Sequence, residues 1–241
     1  MIGAQRSGST YLYQLLDEHQ EISMAQPLRP EPKFFMNFDE VAKGKKYYEE
    51  IFFSKYKSTS VYLGEKSTSY IESQDAAERI SNFYPEAKIL IILRNPARRA
   101  YSNYLFSVEN GIENLSFPDA LKLEEKRLKQ HFPTSVCPYA YQTRGAYINY
   151  IEMYLQFFNA DQIKVIILEE LVADLTVIQS VYDWLGIDGK FTPKSIKKVI
   201  NQSESKFYNL DPNVLLGLSL YYDESNAKLE NFLGRKINCW K

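Results

Sequence analysis

The sequence predicts a three-layer α/β domain with a central, mainly parallel sheet flanked by helices. Two apolar runs, residues 88–93 (KILIIL) and 163–168 (IKVIIL), have no alternation of polar and apolar side chains. Such runs are typical of parallel strands covered on both faces. Amphipathic segments of helical period separate these runs, and strand–helix alternation favours right-handed crossovers within one sheet.

Composition limits the class of protein. A chain of 241 residues fits one domain, residues 1–241. Its 29 Lys and Arg nearly balance 30 Asp and Glu, so no global field favours nucleic acid as a partner. Cys137 and Cys239 have no metal-ligand spacing, which predicts no metal site. Without a signal peptide or an apolar run near eighteen residues, we expect no membrane partner and a cytoplasmic location; a trimmed luminal domain would look the same.

The first elements follow from the opening MIGAQRSGSTYLYQLL. Only two residues precede Gly3, so the first strand looks truncated. Leu12, Leu15 and Leu16 recur at helical spacing, and His19 is expected in the last turn as a partner of the helix dipole. A proline-interrupted loop at 26–33 and a polar stretch to about residue 57 come next. Residues 60–63 then indicate a short strand that ends at Gly64.

The later elements alternate in the same way. Pro96 fits the first turn of a helix that follows the strand at 88–93. Residues 111–143 are polar and contain three prolines, which indicates an inserted helix and loop. The charge run at 122–129 within it is interpreted as a solvated face. Further helices are predicted at 76–83, 145–158, 173–185 and 212–233.

The turn at residues 5–10 (QRSGST) has the composition of a phosphate cradle and makes the predicted domain P-loop-type. Backbone N–H groups at a helix N-terminus bind anions, and hydroxyls can add hydrogen bonds. The usual nucleotide loop ends in Gly-Lys-Ser/Thr, whereas Ser9 and Thr10 follow Gly8 here. Arg6 would supply the charge of the missing lysine, beside the hydroxyl of Ser7. The alternative is a serine-rich helix cap with no ligand.

Two further strand ends carry polar side chains, where ligands of parallel sheets bind. Arg94 closes the strand at 88–93, and Ser102 lies about two turns into the next helix, so both could contact one phosphate. Glu65 and Lys66 follow the short strand. A Glu–Lys pair is usually a surface ion pair, but a carboxylate near an anion site is typical of a proton acceptor.

Together these segments resemble the sulfotransferases that use 3′-phosphoadenosine 5′-phosphosulfate (PAPS), in the branch of heparan sulfate sulfotransferases and related bacterial enzymes. IGAQRSGSTYLYQLL resembles the 5′-phosphosulfate loop of that family, and ILIILRNPARRAYSNY its 3′-phosphate motif, with Arg94 and Ser102 as phosphate ligands. GEKSTSY resembles the segment that holds the catalytic glutamate, here Glu65. PEPKFF, RGAYINYIEMYLQFF and LGRKINCW are similar to further segments in the same order.

The resemblance implies transfer of a sulfuryl group from PAPS to a hydroxyl or amine, with adenosine 3′,5′-bisphosphate released. Glu65 would be the general base, and Arg6, the turn hydroxyls and Lys66 would stabilise the leaving phosphate, with no metal. The acceptor would be a carbohydrate, a small molecule or a carrier-bound substrate. Lys33 could contact an acidic acceptor, and three tyrosines are candidates for lining its site: Tyr139, Tyr141 and Tyr147.

Two departures and two alternatives accompany this prediction. Arg6 replaces a common lysine, and the late Gly- and Lys-rich segment of the family has only a weak counterpart at Ser203–Lys206. A P-loop kinase or NTPase would use the same turn, but needs Gly-Lys-Ser/Thr and an acidic strand end for magnesium. A non-catalytic nucleotide-binding module would bind without turnover, and Glu65 argues against it.

Overall fold

The structure, a computed structural model, describes residues 1–130, 136–197 and 211–240. The chain divides into two compact units, which are treated separately. The first unit comprises Met1–Leu93 and Met153–Ile200, and the second comprises Arg94–Glu152 and Asn201–Lys241.

Helices and strands alternate along the chain. The strands are β1 (Ile22–Met24), β2 (Tyr62–Gly64), β3 (Ile89–Leu93) and β4 (Ile163–Ile167). The helices are α1 (Ser9–Glu18), α2 (Phe38–Ala42), α3 (Gly44–Phe53), α4 (Gln74–Phe83), α5 (Pro96–Glu109), α6 (Phe117–Leu128), α7 (Tyr147–Tyr154), α8 (Leu168–Ala173), α9 (Leu175–Leu185) and α10 (Pro212–Leu233).

All strand pairs of the first unit are parallel. β1 pairs with β2 with Ser23 opposite Leu63, and β3 pairs with β4 with Ile91 opposite Val165. Gly3 forms a parallel bridge with Ile91. Residues 1–4 thus run beside β3, and their other edge accepts hydrogen bonds from the amides of residues 67 and 71. The short opening segment therefore ties β3 to the residues that follow β2.

Apolar side chains fix these elements in the first unit. Leu12 and Leu15 of α1 are fully buried and pack in one cluster with β1, β3, β4 and α9. β3 is buried at all five positions, as its apolar run predicts. Because α1 is anchored by this face, its N-terminus and the preceding turn are held at one place beside the sheet.

The second unit has a helical core of its own. Tyr101 of α5, Phe117 of α6 and Tyr222 of α10 are buried together. The buried carboxylate of Glu124 accepts hydrogen bonds from the amides of residues 142 and 143, at 2.6 and 2.7 Å. The Tyr222 hydroxyl donates to the carbonyl of Gln142 at 2.7 Å. Helix α10 is thereby tied to the segment that precedes α7.

The predicted fold class is confirmed, and the two strands at 88–93 and 163–168 are observed within one residue of their expected ends. Pro96 lies in the first turn of α5, as predicted. β1, α2 and α3 were not predicted. The helix predicted at 145–158 is shorter in the structure. The helix predicted at 173–185 is observed as α9 and is preceded by a separate helix, α8. The two are distinct because the Asp174 side chain accepts from the amide of Thr176 and caps the N-terminus of α9.

Candidate active site

The turn at residues 5–10 leads into α1 as the sequence predicts. Gly8 caps the helix with φ of +83°, in the left-handed region that favours glycine, and Arg6 has φ of +65°. No side chain caps α1, and its first turn contains no acidic residue. The first amides of an α-helix have no partner within the helix, so this end attracts an anion. Arg6 is exposed at the same turn.

Two features of the turn fit a bound phosphate or sulfate group. The Ser7 hydroxyl is fully buried, and within the described part of the chain it has no hydrogen-bond partner. Such an unsatisfied hydroxyl is costly unless a ligand completes it. Gly8, at φ of +83°, gives the turn a conformation that a side chain would strain, and a Cβ there would displace the end of Leu168, whose Cδ1 would lie at 2.5 Å. Ser9 is buried and Thr10 half-buried at the start of α1.

Glu65 follows β2, and hydroxyl groups surround its carboxylate. The Tyr48 hydroxyl of α3 donates to Glu65 Oε2 at 2.7 Å, and the Tyr70 hydroxyl donates to the same oxygen at 3.4 Å. Ser67 Oγ donates to Oε1. The carbonyl of Glu65 accepts from the ammonium group of Met1 at 2.6 Å. Glu65 is half-buried overall, and it is held by side chains from two segments and by the amino group of Met1.

These surroundings change the pKa of Glu65. Burial of the carboxylate raises the pKa, because the charged form loses solvation. The hydrogen bonds from Ser67, Tyr48 and Tyr70 and the charge of the Met1 ammonium act in the opposite direction, and burial prevails. A carboxyl with a raised pKa is a stronger base than a free glutamate, which suits a proton acceptor.

Lys66 lies next to Glu65 but contacts a different carboxylate. Its Nζ lies 2.6 Å from Glu31 Oε1, with exposed side-chain fractions of 4 % for Lys66 and 16 % for Glu31. Glu31 also accepts from the amide and the hydroxyl of Thr68, each at 2.9 Å. Glu31 was not identified from the sequence, although it lies in the PEPKFF segment. The feature that could have identified Glu31 is its position between two prolines, Pro30 and Pro32, in a predicted loop. A charged side chain there does not serve the polar face of a helix or strand.

A cavity of about 480 Å³ lies in the first unit, with Glu65 in its wall. Its lining is largely aliphatic and aromatic, and includes Tyr48, Tyr84, Ile89 and Met24. The Met1 terminus also borders this cavity. Glu65 therefore lines the same open volume as Tyr48 and Tyr70, two of the residues whose hydroxyl groups donate to it.

Arg94 and Ser102 belong to the second unit. Arg94 is buried, with 8 % of its surface exposed, and its carbonyl accepts a hydrogen bond from the Tyr147 hydroxyl at 2.8 Å. Asn95 caps α5 through the amide of Arg98. Ser102 is half-buried in the second turn of α5. The backbone at Arg94 is thus fixed by two contacts: the cap of α5 by Asn95, and the hydrogen bond from the Tyr147 hydroxyl to the Arg94 carbonyl.

Two buried arginines of the second unit were not identified as structural from the sequence. Arg99 and Arg144 both donate to Asn103 Oδ1, at 3.3 and 2.9 Å. Arg99 also donates to the carbonyl of Tyr141, and Arg144 donates to that of Cys137 at 2.8 Å. Both guanidinium groups thus donate to oxygen atoms inside this unit, and Arg99 Nε is buried without a partner among the described residues.

Other candidate residues have contacts inside the protein. The Tyr139 and Tyr141 hydroxyls donate to the carbonyl of Ile112 and to Glu113 Oε2. Lys33 is exposed, and its amide donates to Ser67 Oγ at 2.8 Å. His19 was predicted in the last turn of α1 as a partner of the helix dipole, but it is the residue after the helix, whose last turn has no basic residue. It is buried, its Nδ1 accepts from the amide of Glu21, and its Nε2 lies 3.1 Å from the carbonyl of Asp188. Ser203–Lys206 lies outside the described residues.

Neither a metal site nor a membrane span is found in the parts of the chain described. Among residues 1–130, 136–197 and 211–240, no three His, Cys, Asp or Glu side chains are grouped so that they could hold a metal ion. No helix in the same ranges is both long enough and apolar enough to cross a bilayer.

Comparison with known proteins identifies the class. Residues 1–235 match the family model described as the sulfotransferase domain, so the chain belongs to the sulfotransferase family and is a sulfotransferase enzyme. The bifunctional heparan sulfate N-deacetylase/N-sulfotransferase 1 of Mus musculus is 34 % identical over 270 residues, and that of Xenopus laevis is 29 % identical over 271. Each alignment covers 100 % of this chain and 30 % of the relative, so the chain spans about a third of their length.

A solved structure agrees with the fold. The crystal structure of a sulfotransferase from Alicyclobacillus acidocaldarius superimposes with a TM-score of 0.82 and 28 % sequence identity. The match covers 100 % of this chain and 96 % of that one. The sulfotransferase domain from the curacin biosynthetic pathway, at 18 % identity and a TM-score of 0.50, shares the fold.

Proposed function

We propose that this sulfotransferase transfers a sulfuryl group from PAPS to an amine or hydroxyl of an acceptor, releasing adenosine 3′,5′-bisphosphate. The observation that carries the proposal is the turn before α1. It combines an uncapped helix N-terminus, a buried Ser7 hydroxyl without a partner among the described residues, and Gly8 in the left-handed conformation. Sulfotransferases in general use PAPS, so the family match supports the same donor here.

The donor supplies the sulfuryl group and a good leaving group. The residues of the turn would bind the donor's 5′-phosphosulfate and stabilise the negative charge that develops on the leaving phosphate. Arg6 would neutralise the oxygen from which the sulfuryl group departs, and Ser7, Ser9 and Thr10 would donate hydrogen bonds to it. Removing one such donor typically costs about 3 kcal/mol of transition-state stabilisation. Arg94 and Ser102 are proposed ligands of the 3′-phosphate, because their spacing matches the motif that the family uses.

Glu65 is the proposed general base. Its raised pKa and its position in the cavity wall support this role. It would take the proton of the acceptor group while that group attacks sulfur and the bond from sulfur to the phosphate oxygen breaks. Glu65 would afterwards release this proton to solvent. Lys66 is proposed to stabilise the negative charge that develops on the leaving phosphate. Since Glu31 already holds Lys66, that contribution would come from a fixed ammonium group.

The acceptor class is proposed from the relatives. The curated relatives are named for N-sulfation of heparan sulfate, a carbohydrate. We therefore propose a carbohydrate amine or hydroxyl as the first acceptor to test, before small molecules and carrier-bound intermediates.

Thermal melts would test the donor. A ligand at a hundred times its dissociation constant adds about 2.7 kcal/mol, which raises the midpoint of a domain of this size by about 5–10 °C. We expect this rise with adenosine 3′,5′-bisphosphate and no rise with ATP and magnesium. A rise only with ATP and magnesium would contradict the proposal and favour a kinase.

Turnover would test the base. Release of the bisphosphate from PAPS is measured with a glucosamine-containing oligosaccharide as acceptor. Glu65→Gln is expected to abolish release while it preserves the thermal shift with bisphosphate. Loss of the shift as well would show that Glu65 is structural, since a base takes no part in binding the nucleotide.

A further inference from the structure

The loop that contains residues 31–35 contacts Glu65 through a chain of directed hydrogen bonds. The amide of Lys33 donates to Ser67 Oγ at 2.8 Å, and Ser67 Oγ donates to Glu65 Oε1. The amide of Phe35 donates to the Tyr70 hydroxyl at 3.1 Å, and that hydroxyl donates to Glu65 Oε2. The same arrangement therefore occurs twice, with one loop as the origin of both.

The chemistry of a hydroxyl gives these chains a direction. A hydroxyl has one proton and two lone pairs, and a backbone amide can only donate. When the amide of Lys33 occupies a lone pair of Ser67, the serine proton is directed to another acceptor, and the carboxylate of Glu65 is the acceptor within reach. A hydrogen bond to the charged form of a carboxyl favours that form. Ser67 is fully buried, so water cannot replace it.

We propose that Ser67 is a positioning residue for Glu65: with its proton direction set by the Lys33 amide, it keeps the Glu65 carboxylate ionised and fixed in orientation. This inference rests on the proposed function in so far as Glu65 is the base. Lys33 contributes only its backbone, which explains why an exposed lysine side chain coexists with a fixed amide. Tyr70 acts in the same direction through a longer contact of 3.4 Å.

Other groups also act on Glu65, and the test must separate them from Ser67. They are the ammonium of Met1, the hydroxyls of Tyr48 and Tyr70, and the more distant phenols of Tyr84 and Tyr154. The pair Lys66 and Glu31 acts on the Met1 ammonium. Removing the Ser67 hydroxyl deletes its hydrogen bond to Glu65, leaves the Lys33 amide without that acceptor and removes a contact with Tyr70, so the control variant must also lose a buried acceptor of a backbone amide.

A matched control exists in the same unit. Ser23 is also buried, and its Oγ also accepts from a backbone amide, that of Lys57 at 2.8 Å. Its other partner is Ser60 Oγ at 2.7 Å rather than a carboxylate. Ser67→Ala and Ser23→Ala therefore remove equivalent hydroxyls, and only the first removes a donor to Glu65.

The decisive measurement is the titration of the Glu65 carboxyl by ¹³C NMR of glutamate-labelled protein, with the resonance assigned through Glu65→Gln. A hydrogen bond to a charged group contributes about 1.5 kcal/mol or more, which corresponds to about one pH unit. We expect Ser67→Ala to move the titration midpoint upward by about one pH unit and Ser23→Ala to leave it unchanged. Equal midpoints in all three proteins would overturn the proposal and make Ser67 a packing residue. Should Ser67→Ala not fold, Ser67→Cys keeps the volume with a weaker donor and is expected to move the midpoint the same way.

The pH profile of kcat separates this proposal from the proposed function. If Glu65 is the base, the acidic limb of the kcat profile moves to higher pH in Ser67→Ala, by as much as the titration midpoint of Glu65 does. Activity is then lost at a higher pH than in the original chain. A midpoint that moves while the limb does not would leave Ser67 acting on Glu65 but refute Glu65 as the base. A limb that moves without the titration would refute the positioning role instead.

Discussion

Glu31 and Lys66 form a buried ion pair, with Nζ of Lys66 2.6 Å from Oε1 of Glu31. The pair joins the loop before α2 to the residues that follow β2. The ammonium of Lys66 therefore contacts Glu31, whereas the carboxylate of the proposed base, Glu65, faces hydroxyl groups. Two adjacent residues of the chain are thus held by two separate sets of partners.

Removing Glu31 should destabilise the protein. Glu31→Gln leaves Lys66 buried without a counter-charge, and breaking a buried pair costs about 3 kcal/mol at the lower end of the measured range. The lower end applies because Glu31 retains 16 % exposure. Urea unfolding measures the change. The double variant Glu31→Leu with Lys66→Met should recover part of the loss, since both charges are then gone. A double variant as unstable as the sum of its single changes would show that the two residues do not interact.

The turn before α1 should require glycine at position 8. Gly8→Ala places a side chain at φ of +83°, which strains the turn, and 2.5 Å from Leu168 Cδ1, so the end of that leucine must also move. We expect a loss of more than about 1 kcal/mol of stability, together with loss of the thermal shift with bisphosphate. Gly44→Ala is the control, because Gly44 has φ of +88° and a Cβ added there would meet no atom within 4 Å. It should cost stability alone. A thermal shift that survives in Gly8→Ala would show that the turn does not bind the nucleotide.

Tyr147 should matter for binding through the backbone of Arg94. Tyr147→Phe removes a buried hydrogen bond to the carbonyl of Arg94 and should cost about 1 kcal/mol of stability. Because this carbonyl belongs to a proposed phosphate ligand, affinity for the bisphosphate should also fall, as calorimetry would measure. Tyr182→Phe loses a similar buried bond, to the carbonyl of Leu15 at 2.8 Å, and should leave affinity unchanged. Equal affinities for the bisphosphate in both variants would mean that the hydrogen bond to the Arg94 carbonyl does not position Arg94 for phosphate binding.

The amino group of Met1 should make the stability of the 241-residue chain depend on pH. Burial lowers its pKa from 8.0 to about 6 in the folded state. The unfolded chain therefore binds more protons between these values, and the free energy of unfolding rises with pH across this window. The contribution is complete above about pH 8 and is lost as pH falls through about 6, with a total of about 2.7 kcal/mol.

Urea unfolding between pH 5.5 and 8.5 measures this slope. Glu65 has the opposite shift, since its raised pKa gives stability that is lost as pH rises, but its window begins near 4.5. Acetylation of the Met1 amine removes the titrating group and should flatten the curve. The same slope after acetylation would assign it to another group.

The sequence alone supported the α/β class, both long strands, the turn before α1 and the motifs that led to the sulfotransferase family. These features are local: β3 and β4 are continuous apolar runs, and the Gly8 turn is a short pattern in which backbone and hydroxyl groups suffice. Propensity and spacing along the chain determine such elements, so no distant contact is needed to predict them.

Tertiary structure decided what surrounds each candidate residue. The sequence placed Glu65 beside Lys66, yet Lys66 pairs with Glu31, which is 35 residues away, and Glu65 is held by Tyr48, Ser67 and Tyr70. β1 was not predicted for the same reason. Its three residues form a strand only through pairing with β2. Ionisation and hydrogen bonding depend on neighbours brought together by folding, and separation along the chain carries little information about them.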